Sequence, residues 1–129
     1  MAVRMFLVDD MQGMVALMND LCDTLGDVEV VGTSATEAEA IDWLERNPGG
    51  WDVAIVDLVL AQGSGISLIT RARAASATAQ IAVFSGYASP GVEEHCRRLG
   101  ANVVFSKQET RRFLEWLDGL RSAARGPAM

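Results

Sequence analysis

The sequence predicts an α/β fold, a doubly wound (βα)5 three-layer sandwich on a five-stranded parallel sheet of order 2-1-3-4-5. Three observations predict it. Apolar runs of strand length alternate five times with stretches of three- and four-residue apolar spacing, the pattern of strand–helix units that wind a parallel sheet. The middle run, Trp51-Asp52-Val53-Ala54-Ile55-Val56-Asp57-Leu58, is rich in Val and Ile and contains no turn residue, as a strand buried on both faces requires. Breaker clusters separate the units, Asn47-Pro48-Gly49-Gly50 most strongly.

Taken in order, Arg4 to Val8 reads as the first strand and runs straight into Asp9-Asp10. Met11, Met14, Val15, Met18, Leu21, Cys22 and Leu25 then form one apolar helical stripe, read as core, with Gly26 as its stop. Val28 to Gly32 is the second strand, and Ser34 and Thr36 offer caps to a helix carrying Ala38, Ile41, Trp43 and Leu44. After the third strand, residues 61–65 make a loop, and Ile66, Leu68, Ile69 and Ala72 mark the third helix. Ile81 to Ser85 is the fourth strand, and Pro90 suits the first turn of a fourth helix that ends near Leu99-Gly100. Val103 to Phe105 is a short fifth strand leading to Lys107. Phe113, Leu114, Trp116, Leu117 and Leu120 mark a last helix that Gly126-Pro127 ends. Right-handed crossovers join the units. One domain is expected over residues 1–125, with residues 126–129 frayed.

Composition bounds the function. A chain of 129 residues, half of them hydrophobic, buries roughly two-thirds of its unfolded surface and is not globally disordered. The net charge of −6 argues against direct nucleic-acid binding. No apolar run approaches the ~20 residues that span a bilayer, so no membrane segment is expected, and the N-terminal run reads as a strand rather than a signal peptide. Cys22 and Cys96 lack CxxC spacing and read as free thiols of a reducing compartment, which favours a cytoplasmic location. The basic residues are ten arginines and the single Lys107, which hints at one place needing a compact ammonium rather than a planar fork.

The strand ends carry the chemistry. Strand one ends in Asp9-Asp10, strand three in Asp57 and strand four in Ser85, while Lys107 follows strand five. The carboxyl ends of parallel strands share one rim, and ligands of open α/β sheets bind there, beside the switch point between strands one and three. Three carboxylates and one ammonium leave a formal charge of about −2 in a small space, which raises carboxylate pKa values and strains the fold. A hard divalent cation relieves it, and carboxylates, a carbonyl and water suit Mg²⁺. Lys107 and the Ser85 hydroxyl are then placed to hold phosphoryl oxygens, with Asp57 as a nucleophile able to form an acyl phosphate.

Asp9-Asp10, Asp57, Ser85-Gly86 and Lys107, at these spacings and strand ends, resemble the receiver domain of two-component response regulators. The resemblance covers about residues 3 to 122, and the Val30-Val31-Gly32 stretch looks most like receivers of helix-turn-helix regulators. It implies that Asp57 accepts a phosphoryl group from a histidine kinase or histidine phosphotransfer protein. It also implies that Asp10, Asp57 and the Val59 carbonyl hold Mg²⁺, with Asp9 acting through water. Lys107 would pair with the phosphoryl group, Ser85 would shift toward it, and Gly86 would keep the space beside it small. The output would leave through the helix 4–strand 5–helix 5 face, to a downstream protein, an output domain outside this chain, or a homodimer partner. Phosphorylation and dephosphorylation would be self-catalysed, making the chain a regulator rather than an enzyme.

Three positions depart from the family pattern. Val104 stands where the switch aromatic is usual, and Phe105, one residue later, should face the other side of the sheet. Gln108 stands where proline usually follows the lysine with a cis bond; a cis non-proline bond costs about 3–4 kcal/mol, so a trans bond or a strained cis one is expected. Ala61 replaces a common loop proline. Val59 and Tyr87 sit where the family tunes water access, and predict slow hydrolysis. His95 reads as a helix-surface residue and not a phosphodonor, and Trp43, Trp51 and Trp116 as packing residues. Two competing readings bear on function. A receiver-like module that binds partners without phosphorylation stays open, whereas a dehalogenase-type phosphatase would need an acid at Val59.

Overall fold

A computed structural model describes residues 2–124. The elements run β1 (Val3–Val8), α1 (Gln12–Leu25), β2 (Val28–Ser34), α2 (Glu37–Arg46), β3 (Val53–Val56), α3 (Gly65–Ala75), β4 (Gln80–Ser85), α4 (Pro90–Leu99), β5 (Val103–Ser106) and α5 (Thr110–Ala124). All pairings are parallel, and the order β2-β1-β3-β4-β5 is the one expected. The proposed helix stop at Gly126-Pro127 and the frayed 126–129 segment lie outside the described residues.

The sheet is buried on both faces, and strand alternation sorts its side chains between two cores. Met5, Leu7, Val53, Ile55, Ala82, Phe84 and Phe105 pack with Met14 and Met18 of α1 and Phe113 and Leu117 of α5. Phe6, Val8, Ala54, Val56, Ile81, Val83 and Val104 pack with α2, α3 and Cys96 of α4. The Met11 end of the methionine stripe corrects the expectation. Met14 and Met18 are core, but Met11 precedes α1 as its cap residue and is exposed, because the turn after Asp9 directs it to the rim rather than beneath the helix.

Local chemistry sets the helix starts. Thr36, Ser64 and Ser89 accept hydrogen bonds from Glu39, Ile66 and Val92 backbone N–H groups at the starts of α2, α3 and α4. Trp43 of α2 stacks on Phe6 of β1 with ring centroids 4.0 Å apart. It reaches across β2 because Gly32 has no side chain, and a Cβ there would lie 2.3 Å from the indole nitrogen. Arg73 at the end of α3 donates to the carbonyls of Ser76, Ala79 and Gly100 and to Asn102 Oδ1, which ties two loops below the sheet. Arg4 and Asp52 form a two-point ion pair at the same end.

Candidate functional site

The sheet itself mounts the site. Each key residue follows its strand by one position and is held by one further ladder bond. The Asp9 N–H donates to the Ser34 carbonyl (3.0 Å), that of Asp57 to Val8 (2.9 Å) and that of Lys107 to Ser85 (3.1 Å). Three backbones fixed this way leave only side-chain rotation free. Asp9 and Asp57 are buried, while Asp10 is exposed.

Lys107 joins the two buried acids. Its Nζ lies 2.8 Å from Asp57 Oδ2 and 3.0 Å from Asp9 Oδ2, and 3.4 Å from the Met11 sulfur. The other carboxylate oxygens accept backbone N–H groups, Asp9 Oδ1 from Met11 (2.9 Å) and Asp57 Oδ1 from Val59 (3.4 Å). Burial pushes the Asp9 carboxyl above its usual range, although the Met11 N–H and Lys107 oppose this. Burial alone would lower the Lys107 ammonium, but hydrogen bonds and charge from Asp57 and Asp9 outweigh it and the net direction is upward. Lys107 therefore stays charged at neutral pH, and its single charge faces two acids.

Oxygen atoms of Asp9, Asp10 and Asp57 all lie within 4.8 Å of one another. That all-oxygen set fits a hard cation of the Mg²⁺ or Ca²⁺ type. The excess of carboxylate over ammonium gives such a cation an electrostatic role here.

The loop after Asp57 is folded back tightly. Val59 and Ser64 form an antiparallel bridge, Gly65 N–H donates to the Leu58 carbonyl (3.0 Å), and Glu37 Oε1 accepts from Ser64 N–H (2.8 Å). A Cβ on Gly65 would lie 1.9 Å from the Asp57 carbonyl oxygen, so only glycine lets α3 start this close to Asp57.

Ser85 is fully buried, and its Oγ accepts the Tyr87 N–H (3.2 Å). It does not join the Lys107–carboxylate cluster by hydrogen bond in this arrangement. A Cβ on Gly86 would meet nothing within 4 Å. Tyr87 and Val59 are exposed at the rim (66% and 48%) and His95 is exposed on α4. Val104 is buried on the α3–α4 side, whereas Phe105 lies on the α1–α5 side, 5.7 Å from Phe113 in an edge-on contact. The described residues contain no cis peptide, so the Lys107–Gln108 bond is trans.

Met11, Gly65 and Glu37 escaped the sequence reading. Met11 looked like one more stripe residue, and Gly65 like part of the 61–65 loop. Glu37 reaches a loop 27 positions away, a contact that no local pattern announces.

The family model described as the response regulator receiver domain matches residues 5–116. No curated protein matches the chain. Among solved structures, a LuxR-family two-component response regulator from Aurantimonas sp. SI85-9A1 is similar at TM-score 0.82 and 19% identity, covering 95% of this chain and 87% of that one. A response regulator from Burkholderia pseudomallei, containing a phosphorylated aspartic acid, a calcium ion and citrate, is similar at TM-score 0.73 and 20% identity, covering 96% and 73%. CheY from Borrelia burgdorferi, in a CheX–CheY complex with BeF3 and magnesium, is similar at TM-score 0.78 and 16% identity, covering 89% of each chain. At these identities the structural likenesses establish the fold alone.

Proposed function

This chain belongs to the response regulator receiver family, and from that premise we propose that Asp57 is its phosphoacceptor. A single observation carries the reading: Lys107 bridges the buried carboxylates of Asp57 and Asp9 at 2.8 and 3.0 Å. In the proposed reaction, a carboxylate oxygen of Asp57 forms a bond to phosphorus as the P–N bond of a partner's phosphohistidine breaks. The electron pair of that bond leaves with the imidazole nitrogen. Lys107 is already placed to turn its N–H donors from Asp57 to a phosphoryl oxygen, so little reorganisation precedes transfer. Asp10, Asp57 and the Val59 carbonyl would hold Mg²⁺, with Asp9 acting through water, and the cation supplies charge neutralisation at the transferring group.

The departures at Val104 and Phe105 direct the switching proposal. Phe105 packs on the side of the sheet away from α4 and touches Phe113 and Trp116, so no ring of β5 stands ready to swing behind Ser85. A move of the Ser85 hydroxyl toward a phosphoryl group instead gives up the Tyr87 N–H bond. That releases the loop leading to the Ser89 cap of α4. The signal then passes through Tyr87 and α4 to a face formed with β5 and α5, where a downstream protein, an output domain or a second copy docks. The donor is a sensor histidine kinase or histidine phosphotransfer protein. No helix among the described residues is long and apolar enough to cross a membrane, and the buried thiols Cys22 and Cys96 support a reducing, cytoplasmic setting.

The test is beryllofluoride with Mg²⁺, a mimic of the phosphoryl group, followed by backbone amide NMR. Shifts at Asp57, Lys107, Ser85 and Tyr87 that require Mg²⁺ are expected. The same spectra with and without beryllofluoride, combined with unaltered partner capture by Asp57→Ala, would favour the phosphorylation-independent binding module instead.

A further inference from the structure

Met11 differs from the other methionines of the described residues. Met5, Met14 and Met18 are buried, whereas Met11 is 55% exposed. Its sulfur nevertheless has a specific neighbour, Lys107 Nζ at 3.4 Å. The same ammonium serves Asp57 and Asp9. Met11 holds the turn through its backbone N–H on Asp9 Oδ1, and its side chain caps nothing. The side chain can therefore change chemically without undoing the turn.

We propose that Met11 is a reversible oxidation site through which peroxide resets Lys107 and so tunes the acidic pocket; this rests on the reading of Asp57 as phosphoacceptor. The thioether sulfur attacks one oxygen of hydrogen peroxide. An S–O bond forms, the O–O bond breaks, sulfur is oxidised by two electrons, and the other peroxide oxygen leaves as water with both protons. A thioether is a weak acceptor, while a sulfoxide is polar and accepts strongly. The new oxygen, on a sulfur already in contact with Lys107, competes with Asp57 for the ammonium. Sulfoxide reductases reverse the step. Exposure supplies the selectivity, because the neighbouring methionines are sealed in the core.

The test treats the wild type and Met11→Leu with limiting hydrogen peroxide and maps oxidation by peptide mass spectrometry. Phosphorylation by acetyl phosphate with Mg²⁺, and Mg²⁺ affinity by calorimetry, are then read as ratios of oxidised to untreated protein, so any effect of leucine itself cancels. The expected result is sulfoxide at Met11 before Met5, Met14 or Met18. Phosphorylation should slow by about ten- to a hundredfold, the factor one net hydrogen bond to a charged group is worth. Mg²⁺ should bind several-fold tighter as the ammonium is drawn off, and both ratios should stay at unity in Met11→Leu. Equal oxidation of buried and exposed methionines, unchanged wild-type ratios, or the same changes in Met11→Leu would overturn the proposal. Failure of the untreated protein to be phosphorylated would reject the Asp57 reading instead, and the Mg²⁺ ratio would still decide the role of Met11.

Discussion

Replacing Lys107 by methionine keeps much of the side chain's apolar length and removes the charge that two buried carboxylates share. Each contact, at 2.8 and 3.0 Å, corresponds to roughly 5–6 kcal/mol of Coulomb attraction at an effective dielectric near 20, before desolvation is subtracted. Breaking a buried pair by deleting one partner costs about 3–5 kcal/mol. Lys107 retains 19% side-chain exposure, so the expectation for Lys107→Met without metal is about 2–4 kcal/mol. In a chain of this length that is a fall in Tm of about 8–16 °C. Asp57→Asn behaves differently. It removes one of two buried anions and leaves Lys107 paired with Asp9, so stability should change by less than about 1 kcal/mol, in the stabilising direction. Urea unfolding in EDTA, followed by tryptophan fluorescence, measures both variants. Mg²⁺ at the proposed site, in hundredfold excess over its Kd for the folded chain, should return about 2.7 kcal/mol to Lys107→Met. A Lys107→Met cost no larger than that of Asp57→Asn would refute this account of the pocket's charge.

Two further perturbations test the mounting of the site. Gly65→Ala places a methyl 1.9 Å from the Asp57 carbonyl oxygen, so α3 must move away. A loss of about 1–3 kcal/mol, with slower phosphorylation at Asp57, is the expected outcome, and unchanged kinetics would show the loop to be more pliable. The Arg4 hydrogen bond is the main cause holding the Asp52 carboxyl below its usual range. The stability it supplies is complete above the unfolded value near pH 3.8 and is lost as pH falls through the lower folded value. The difference in urea midpoint between wild type and Asp52→Asn should therefore be flat at neutral pH and shrink toward strong acid; a difference that grows on acidification would contradict the pairing.

The fold was readable because period and position agree in this sequence. Val53 to Val56 fits only a doubly buried strand, and Asp9, Asp57, Ser85 and Lys107 were placed on one rim by counting to strand ends. The opposite facing of Val104 and Phe105 also followed from strand alternation, whereas the cost of a cis non-proline bond left trans and strained cis both open at Gln108, and the bond is trans. What escaped was long-range or set by a single turn. Met11 matched the helical spacing of Met14 and Met18, yet the bond from its N–H to Asp9 Oδ1 stops it short of the helix. Gly65 matters for an oxygen eight positions earlier in the chain, and Arg73 for carbonyls of two other loops. The extents of β2 and α3 also shifted. The edge strand carries on to Ser34, whose carbonyl receives the Asp9 N–H, and α3 starts at Gly65 directly after its Ser64 cap.

The most direct measurement is the position of the phosphoryl group. The chain would be incubated with acetyl phosphate and Mg²⁺, reduced with borohydride to trap the acyl phosphate, and digested for peptide mass spectrometry. The account predicts reduction at Asp57 alone, lost on omitting Mg²⁺ and in Asp57→Asn. Trapping at Asp9 or Asp10 in the wild type, or no trapped acid under any condition, would contradict it.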